Sequence, residues 1–166
     1  MSNAESVVAL HVDEIEQIRA AVAMADSRDA IFRAIEAIAV QRIEASMFSA
    51  STCVAESMEL ERVYSSRPEI YAQGGRKNKR ETRWGQLVLK ERQVFVGEGS
   101  LEMAAAFDDQ ERMESLGIRS IINVPVVVRN RCIGVLAFGR SADRVRPSDV
   151  VIARLLGLAS TPAFAV

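Results

Sequence analysis

The sequence predicts an α+β domain: an antiparallel sheet with helices packed on one face and a ligand pocket on the other. Three observations carry that expectation. Two β-branched apolar runs, 118–128 and 132–140, flank the polar Arg129-Asn130-Arg131, which is the pattern of a β-hairpin with a short loop. Asn130 accepts the left-handed conformation such a loop needs. Apolar residues recur at helical spacing near both ends of the chain, and so supply a layer to cover a sheet. Third, the two faces of the hairpin differ. With a three-residue loop, Val128 stands opposite Cys132, Val124 opposite Leu136, Asn123 opposite Ala137 and Ile121 opposite Gly139. One face then carries Ile122, Val124, Val126, Val128, Leu136 and Phe138, bulky and apolar, and calls for a helical layer. The other carries Ile121, Asn123, Val127, Ile133, Val135, Ala137 and Gly139. It is slimmer and holds one amide, leaving room beside a hydrogen-bonding group as a small-molecule pocket does. A two-residue loop would shift the register by one and mix the faces.

The elements follow in order. Residues 5–24 predict an amphipathic helix, with Val8, His11, Ile15, Ile18, Val22 and Ala25 on one seam and Asp13, Glu14, Glu16, Gln17 and Arg19 off it. So short a seam needs a partner, either the rest of the chain or a second subunit. His11 on the seam reads as a spacer or as a pH-sensitive contact. Asp26-Ser27-Arg28-Asp29 breaks this helix and caps the next, which shows Ile31, Phe32, Ile35 and Ile38 on one face and ends near Ile43. Strands are expected at 47–55 and 60–66, the second stopped by Arg67-Pro68. Residues 68–83 read as an irregular, basic segment: either a solvated loop or an anion cradle. One or two helical turns at 84–90, a strand at 93–97 and a helix at 101–116 stopped by Gly117 precede the hairpin. After it, Pro147 opens a last helix whose broad apolar face (Val151, Ile152, Leu155, Leu156, Leu158) suggests a subunit interface. Two parts result: an N-terminal helix, 1–25, offered to a dimer contact, and a domain over 26–166.

Gly117-Ile118-Arg119-Ser120, Asn123-Val124-Pro125-Val126 and Ile133-Gly134-Val135-Leu136 together resemble the core signature of GAF domains. Tyr64-Ser65-Ser66-x-Pro68, Tyr71 and Gly75-Arg76-Lys77 resemble a subgroup of stand-alone bacterial GAF proteins. The resemblance implies a GAF-like sheet of five or six strands, helices on one face, and a pocket on the other closed by the segment before the hairpin. Trp84 and Phe107 then either line that pocket or fill core. It also sets the strand of Cys53 beside that of Cys132. The catalytic branch of the fold, free methionine sulfoxide reductase, uses acidic residues on the hairpin strands and cysteines beside the pocket. Here Ile121 and Ala137 stand where those acids are expected, and the covering segment holds no cysteine.

Composition narrows the chemistry. The 166 residues are 49% hydrophobic and 26% charged, with a net charge of −1. That suits a folded domain and not a dedicated nucleic-acid binder, which carries a basic excess. No apolar run reaches the length of a membrane span and no signal pattern opens the chain, so the expected address is cytoplasmic. One histidine and two cysteines supply neither a catalytic triad nor a metal site. The expectation is a non-catalytic sensor of a small molecule of unknown identity. Tyr64, Trp84, Phe107, Ile121, Asn123 and Ala137 form the candidate site, and Arg62 or Arg76 pairs with an acidic group of the ligand. Output passes through a homodimer of terminal helices or a partner protein. The alternative is a dimeric interaction module whose pocket is filled.

Overall fold

Helical periodicity is realised first at the N-terminal end. The computed structural model describes residues 7–24 and 26–165, so Glu5, Ser6 and Ala25 of the expected first helix lie outside the described residues. Helix α1 (Val12–Met24) buries only Glu14 and Ile18. The Glu14 carboxylate pairs with Arg42 and accepts the His11 backbone N–H at 2.7 Å. Val8, Ile15 and Val22 remain exposed. The helix therefore docks through Ile18, a residue of the expected seam, and an ion pair, and the rest of the described seam stays exposed. His11 precedes the helix and is exposed. Helix α2 (Arg28–Ile43) follows the expected pattern, burying Ile31, Phe32, Ile35 and Ile38. Ser27 occupies its N-cap, and Glu44 closes it with φ 55°.

A six-stranded antiparallel sheet follows, in the order β3-β2-β1-β6-β5-β4. Its strands are β1 (Ala45–Val54), β2 (Glu59–Ser65), β3 (Arg76–Asn78), β4 (Phe95–Glu98), β5 (Ser120–Val128) and β6 (Arg131–Arg140). β3 lies inside the stretch read as irregular. Its three residues are all exposed, so an edge strand of this kind leaves no alternation to detect. Residues 83–90 make a short α-helix α3 (Arg83–Gly85), capped by the Thr82 side chain, that widens into a π-turn (Gln86–Lys90). The helix expected over 101–116 is broken into α4 (Gly99–Ala106) and α5 (Gln110–Ser115). Phe107 between them is extended, and its ring packs edge-on against Phe95 at 5.9 Å. Gly117 stops α5 at φ 74°, as expected.

The central hairpin keeps the expected register where it matters: Val124↔Leu136, Asn123↔Ala137 and Ile121↔Gly139. Its loop is two residues, Arg129 (φ 48°) and Asn130 (φ 64°), both left-handed, so Val128 pairs with Arg131 rather than Cys132. The register survives because Ile133 is bulged out between Val126↔Gly134 and Val127↔Cys132. The bulge also exchanges two residues across the sheet: Ile133 packs toward the helices and Cys132 toward the other face.

The helical face is the main core. α2 and α6 (Pro147–Ala159) cover Phe48, Ala50, Ile122, Val124, Leu136 and Phe138. Phe48 and Phe138 rings lie 5.2 Å apart, and Phe32 meets Phe164 edge-on at 5.4 Å. The two layers touch closely at Gly157, where a Cβ would come 2.7 Å from Val124. At the end of the hairpin Arg140, 1% exposed, ties four segments together. It donates to the Ile43 carbonyl at 2.7 Å, the Arg144 carbonyl at 2.6 Å and Ser120 Oγ at 3.3 Å, and pairs with the buried Asp149 carboxylate at 3.3 Å. No helix among the described residues is long and apolar enough to cross a membrane.

Candidate functional site

On the sheet face opposite α2 and α6, side chains from β1, β2, β5 and β6 floor a covered cavity of about 90 Å³. Ser49, Ser51, Arg62, Ile121, Asn123 and Ala137 form much of the floor. Tyr71, Lys79, Trp84, Phe107, Asp109 and Met113 come from the segments between β2 and β5 and close over it. Five of the six sequence-expected residues are brought together here: Trp84, Phe107, Ile121, Asn123 and Ala137.

Tyr64 is not among them. It lies on the helical face, packed on Phe32 and Phe48, with its hydroxyl donating to Glu36. The cause is a second bulge. Ala50 pairs with Tyr64 but Ser51 pairs with Arg62, so Val63 is the extra residue. Strict alternation would set residues 62 and 64 on one face; the bulge keeps Arg62 in the pocket and turns Tyr64 away. Arg76 is also outside the cavity, pairing with Glu61 at 2.9 Å on the exposed edge.

Asn123 is the centre of the floor and is 2% exposed. Its Oδ1 accepts the Trp84 indole N–H at 3.0 Å. Because an indole N–H only donates, this bond fixes the amide orientation and leaves Nδ2 as the group facing onward. The same bond pins the covering helix α3 to the sheet. Gly85 allows the close approach behind it: a Cβ there would lie 2.0 Å from the Lys79 carbonyl oxygen.

Sequence reasoning missed Lys79, Tyr71 and Asp109 as named site residues. Lys79 is 8% exposed, with Nζ 5.5 Å from the Trp84 ring centre and no carboxylate within ion-pair distance among the described residues. Burial, helped by neighbouring Lys77, holds its pKa below the ordinary lysine value. Tyr71 is buried, and its hydroxyl lies near Asp109 without a hydrogen bond of good geometry. Burial and then nearby Asp109 push its pKa up to about 12. Arg62 and Arg112 place their guanidinium carbons 5.1 and 5.9 Å from the Tyr71 ring centre. Arg62 Nε is buried without a partner, and desolvation lowers its pKa. The clustered cations of 76–83 were the one available signal for Lys79; nothing in the pattern separates it from Lys77, which pairs with Asp108 at 3.1 Å on the surface.

The two cysteines do lie side by side, on β1 and β6, but neither lines the cavity. They share a side-chain hydrogen bond that holds the Cys53 thiol below its ordinary pKa and, with burial, drives that of Cys132 up. Among the described residues no cluster of histidine, cysteine or carboxylate side chains is placed to hold a metal.

The architecture is α+β: a six-stranded antiparallel sheet with helices behind it and a small polar-floored cavity in front. The chain belongs to the GAF domain family, whose model matches residues 16–159. GAF domains are generally sensory and regulatory ligand-binding domains. Solved structures of similar fold include the GAF domain of a phosphoenolpyruvate-protein phosphotransferase from Coxiella burnetii. It is 13% identical with a TM-score of 0.73, covering 92% of this chain and 91% of that one. The GAF domain of a two-component sensor histidine kinase from Bacillus halodurans is 17% identical at a TM-score of 0.65, covering 82% and 95%. A free methionine-R-sulfoxide reductase from Neisseria meningitidis, solved with its substrate, is 19% identical at 0.66, covering 96% of each chain. No curated protein matches by sequence.

Proposed function

We propose that this protein is a non-catalytic sensor whose cavity above Asn123 takes a small molecule and whose terminal helices pass the signal on. The observation that carries this reading is a buried set of polar groups without partners: Tyr71 Oη and Arg62 Nε. Leaving such groups unpaired costs free energy that a ligand restores when it binds. Phe107, Ile121 and Ala137 supply apolar contact, and Trp84 holds Asn123 in place. Ligand binding would order the covering segment between β2 and β5. A thermal-shift screen of small metabolites tests the reading. We expect at least one compound to raise Tm and to lose its effect in Ala137→Leu, which fills the cavity. If no compound does so, or if the variant binds as well as the parent, the site is wrong.

Output through a homodimer, or onto a partner protein, is part of the proposal. It is supported by the outward seam of α1 (Val8, Ile15, Val22) and by Val151 and Leu158, all exposed. A net charge of −1 argues for a protein and not a nucleic-acid target. The competing reading, an interaction module with a filled pocket, draws on the small size of the cavity. Light scattering separates them only in combination with the screen: a dimer that binds nothing favours the module, and a monomer at every concentration removes the dimer from both.

A further inference from the structure

The cavity groups differ in what they can offer a ligand. The Lys79 ammonium, the Arg62 guanidinium and the Asn123 amide nitrogen only donate. The one strong acceptor of Asn123, Oδ1, is already taken by Trp84. The Tyr71 hydroxyl, buried and unpaired, can donate. Against these donors stands Asp109, which also lines the cavity; Arg62 and Arg112, both within 6 Å of the Tyr71 ring centre, oppose its charge. Lys77 contributes a further positive charge at the rim and is itself paired with Asp108 at 3.1 Å. The balance within the cavity is positive and donor-rich. Beside the cations, Ile121, Ala137, Val135 and Phe107 add apolar lining.

Resting on the sensor reading above, we propose that the ligand is a short-chain carboxylate. Its charged head lies among Lys79, Arg62 and Tyr71, and its carbon tail lies on Ile121 and Ala137. A volume of about 90 Å³ limits it to roughly five or six heavy atoms. A carboxylate fits better than a fully hydrated oxoanion because half the wall is apolar and can receive only a carbon tail. Asn123 Nδ2 donates to a second oxygen where the ligand carries one, which favours hydroxy- and keto-acids.

The test is a thermal-shift and calorimetric series at fixed ionic strength on the full chain. The probes are propionate, butyrate, lactate and pyruvate, set against propionamide, propylammonium and inorganic phosphate. We expect one or more of the carboxylates to raise Tm. At about 100 times the Kd the rise is roughly 5–10 °C for a domain of this size. Lys79→Met should weaken that binding at least about tenfold, and Arg62→Met should do the same if the first variant folds poorly. The proposal is overturned if propionamide or propylammonium binds and the carboxylates do not; a binder that Ala137→Leu abolishes would then still leave the sensor reading standing. It is overturned equally if phosphate alone binds, since the apolar tail would then have no role. Silence from every probe, and from a broad screen that includes neutral compounds, would remove both the carboxylate and the sensor reading.

Discussion

Replacing Lys79 with methionine should stabilise the ligand-free protein, and the reasoning can be worked through from the structure. The lysine side chain is 8% exposed, yet no carboxylate lies within ion-pair distance among the described residues. The residue is buried but its Nζ keeps some solvent contact, so the unpartnered charge costs about 1–2 kcal/mol, short of the full burial penalty. The Trp84 ring, 5.5 Å from Nζ, returns about 0.5–1 kcal/mol as a cation–π contact. Methionine has similar length, keeps the contact with the ring and carries no charge. The expected net gain is therefore about 1 kcal/mol, or roughly 2–4 °C in Tm. The pH dependence gives a second handle. Burial lowers the folded-state pKa below the lysine value of 10.5, so just below that pH the unfolded chain holds the proton that the folded chain has lost. The wild type then gains stability as pH rises toward 10.5, and its gap to Lys79→Met narrows. Urea unfolding of both proteins between pH 7 and pH 10 measures this. A variant that loses more than about 1 kcal/mol at pH 7, or a gap that widens with pH, would show that Lys79 is a structural group and refute the argument.

Four further outcomes are expected. Arg140→Met should cost about 1–3 kcal/mol because it orphans the Ile43 and Arg144 carbonyls and takes one of two arginines from buried Asp149, which keeps Arg146 at 2.9 Å, read as a shifted urea midpoint; a loss below about 0.5 kcal/mol would deny the network its role. Trp84→Phe should cost about 1–3 kcal/mol by orphaning Asn123 Oδ1, and a double variant with Asn123→Leu should lose less than the sum of the two single losses. Arg129→Asn with Asn130→Gly should add about 0.5–1 kcal/mol, since both loop residues have positive φ; no gain would mean that the loop relaxes in solution. Cys53 should be alkylated while Cys132 stays protected. Cys132→Val should then move the half-maximal pH of Cys53 alkylation upward, because the hydrogen bond that lowers its pKa is gone; an unchanged profile would place the thiols apart.

Most of the scaffold was legible because burial has a period. The α2 stripe, the continuous β-branched apolar run of β5, and Gly117 and Pro147 as punctuation each follow from a local rule that tertiary context did not override. What escaped was set by single contacts. β3 has three exposed residues and no period. The break at Phe107 exists because its ring is drawn to Phe95, a contact between residues of separate elements that no local window reports. Glu14, read as an outward polar residue, is buried because Arg42, one helix away, reaches it. The apolar seam of α1 was correctly periodic, but only Ile18 of it reaches the core beside α2, while Val8, Ile15 and Val22 stay exposed.

The site itself turns on two extra residues. Alternation along β2 places Arg62 and Tyr64 together, and alternation along β6 places Ile133 beside Val135 on the pocket face. In the fold, Val63 and Ile133 are both bulged, each on a strand flanking or forming the sheet centre. The first bulge sends an aromatic ring into the helical core and leaves a guanidinium as the only long side chain that the end of β2 offers to the cavity. The second removes an isoleucine from that face and brings Cys132 against Trp84 and Cys53. A regular sheet of this sequence would therefore present a more aromatic pocket with the same Arg62 charge. The room that a ligand would meet is a consequence of where the strands depart from period two, and Lys79 comes from outside the bulged strands, so hydrophobic pattern finds the sheet but not its ligand chemistry.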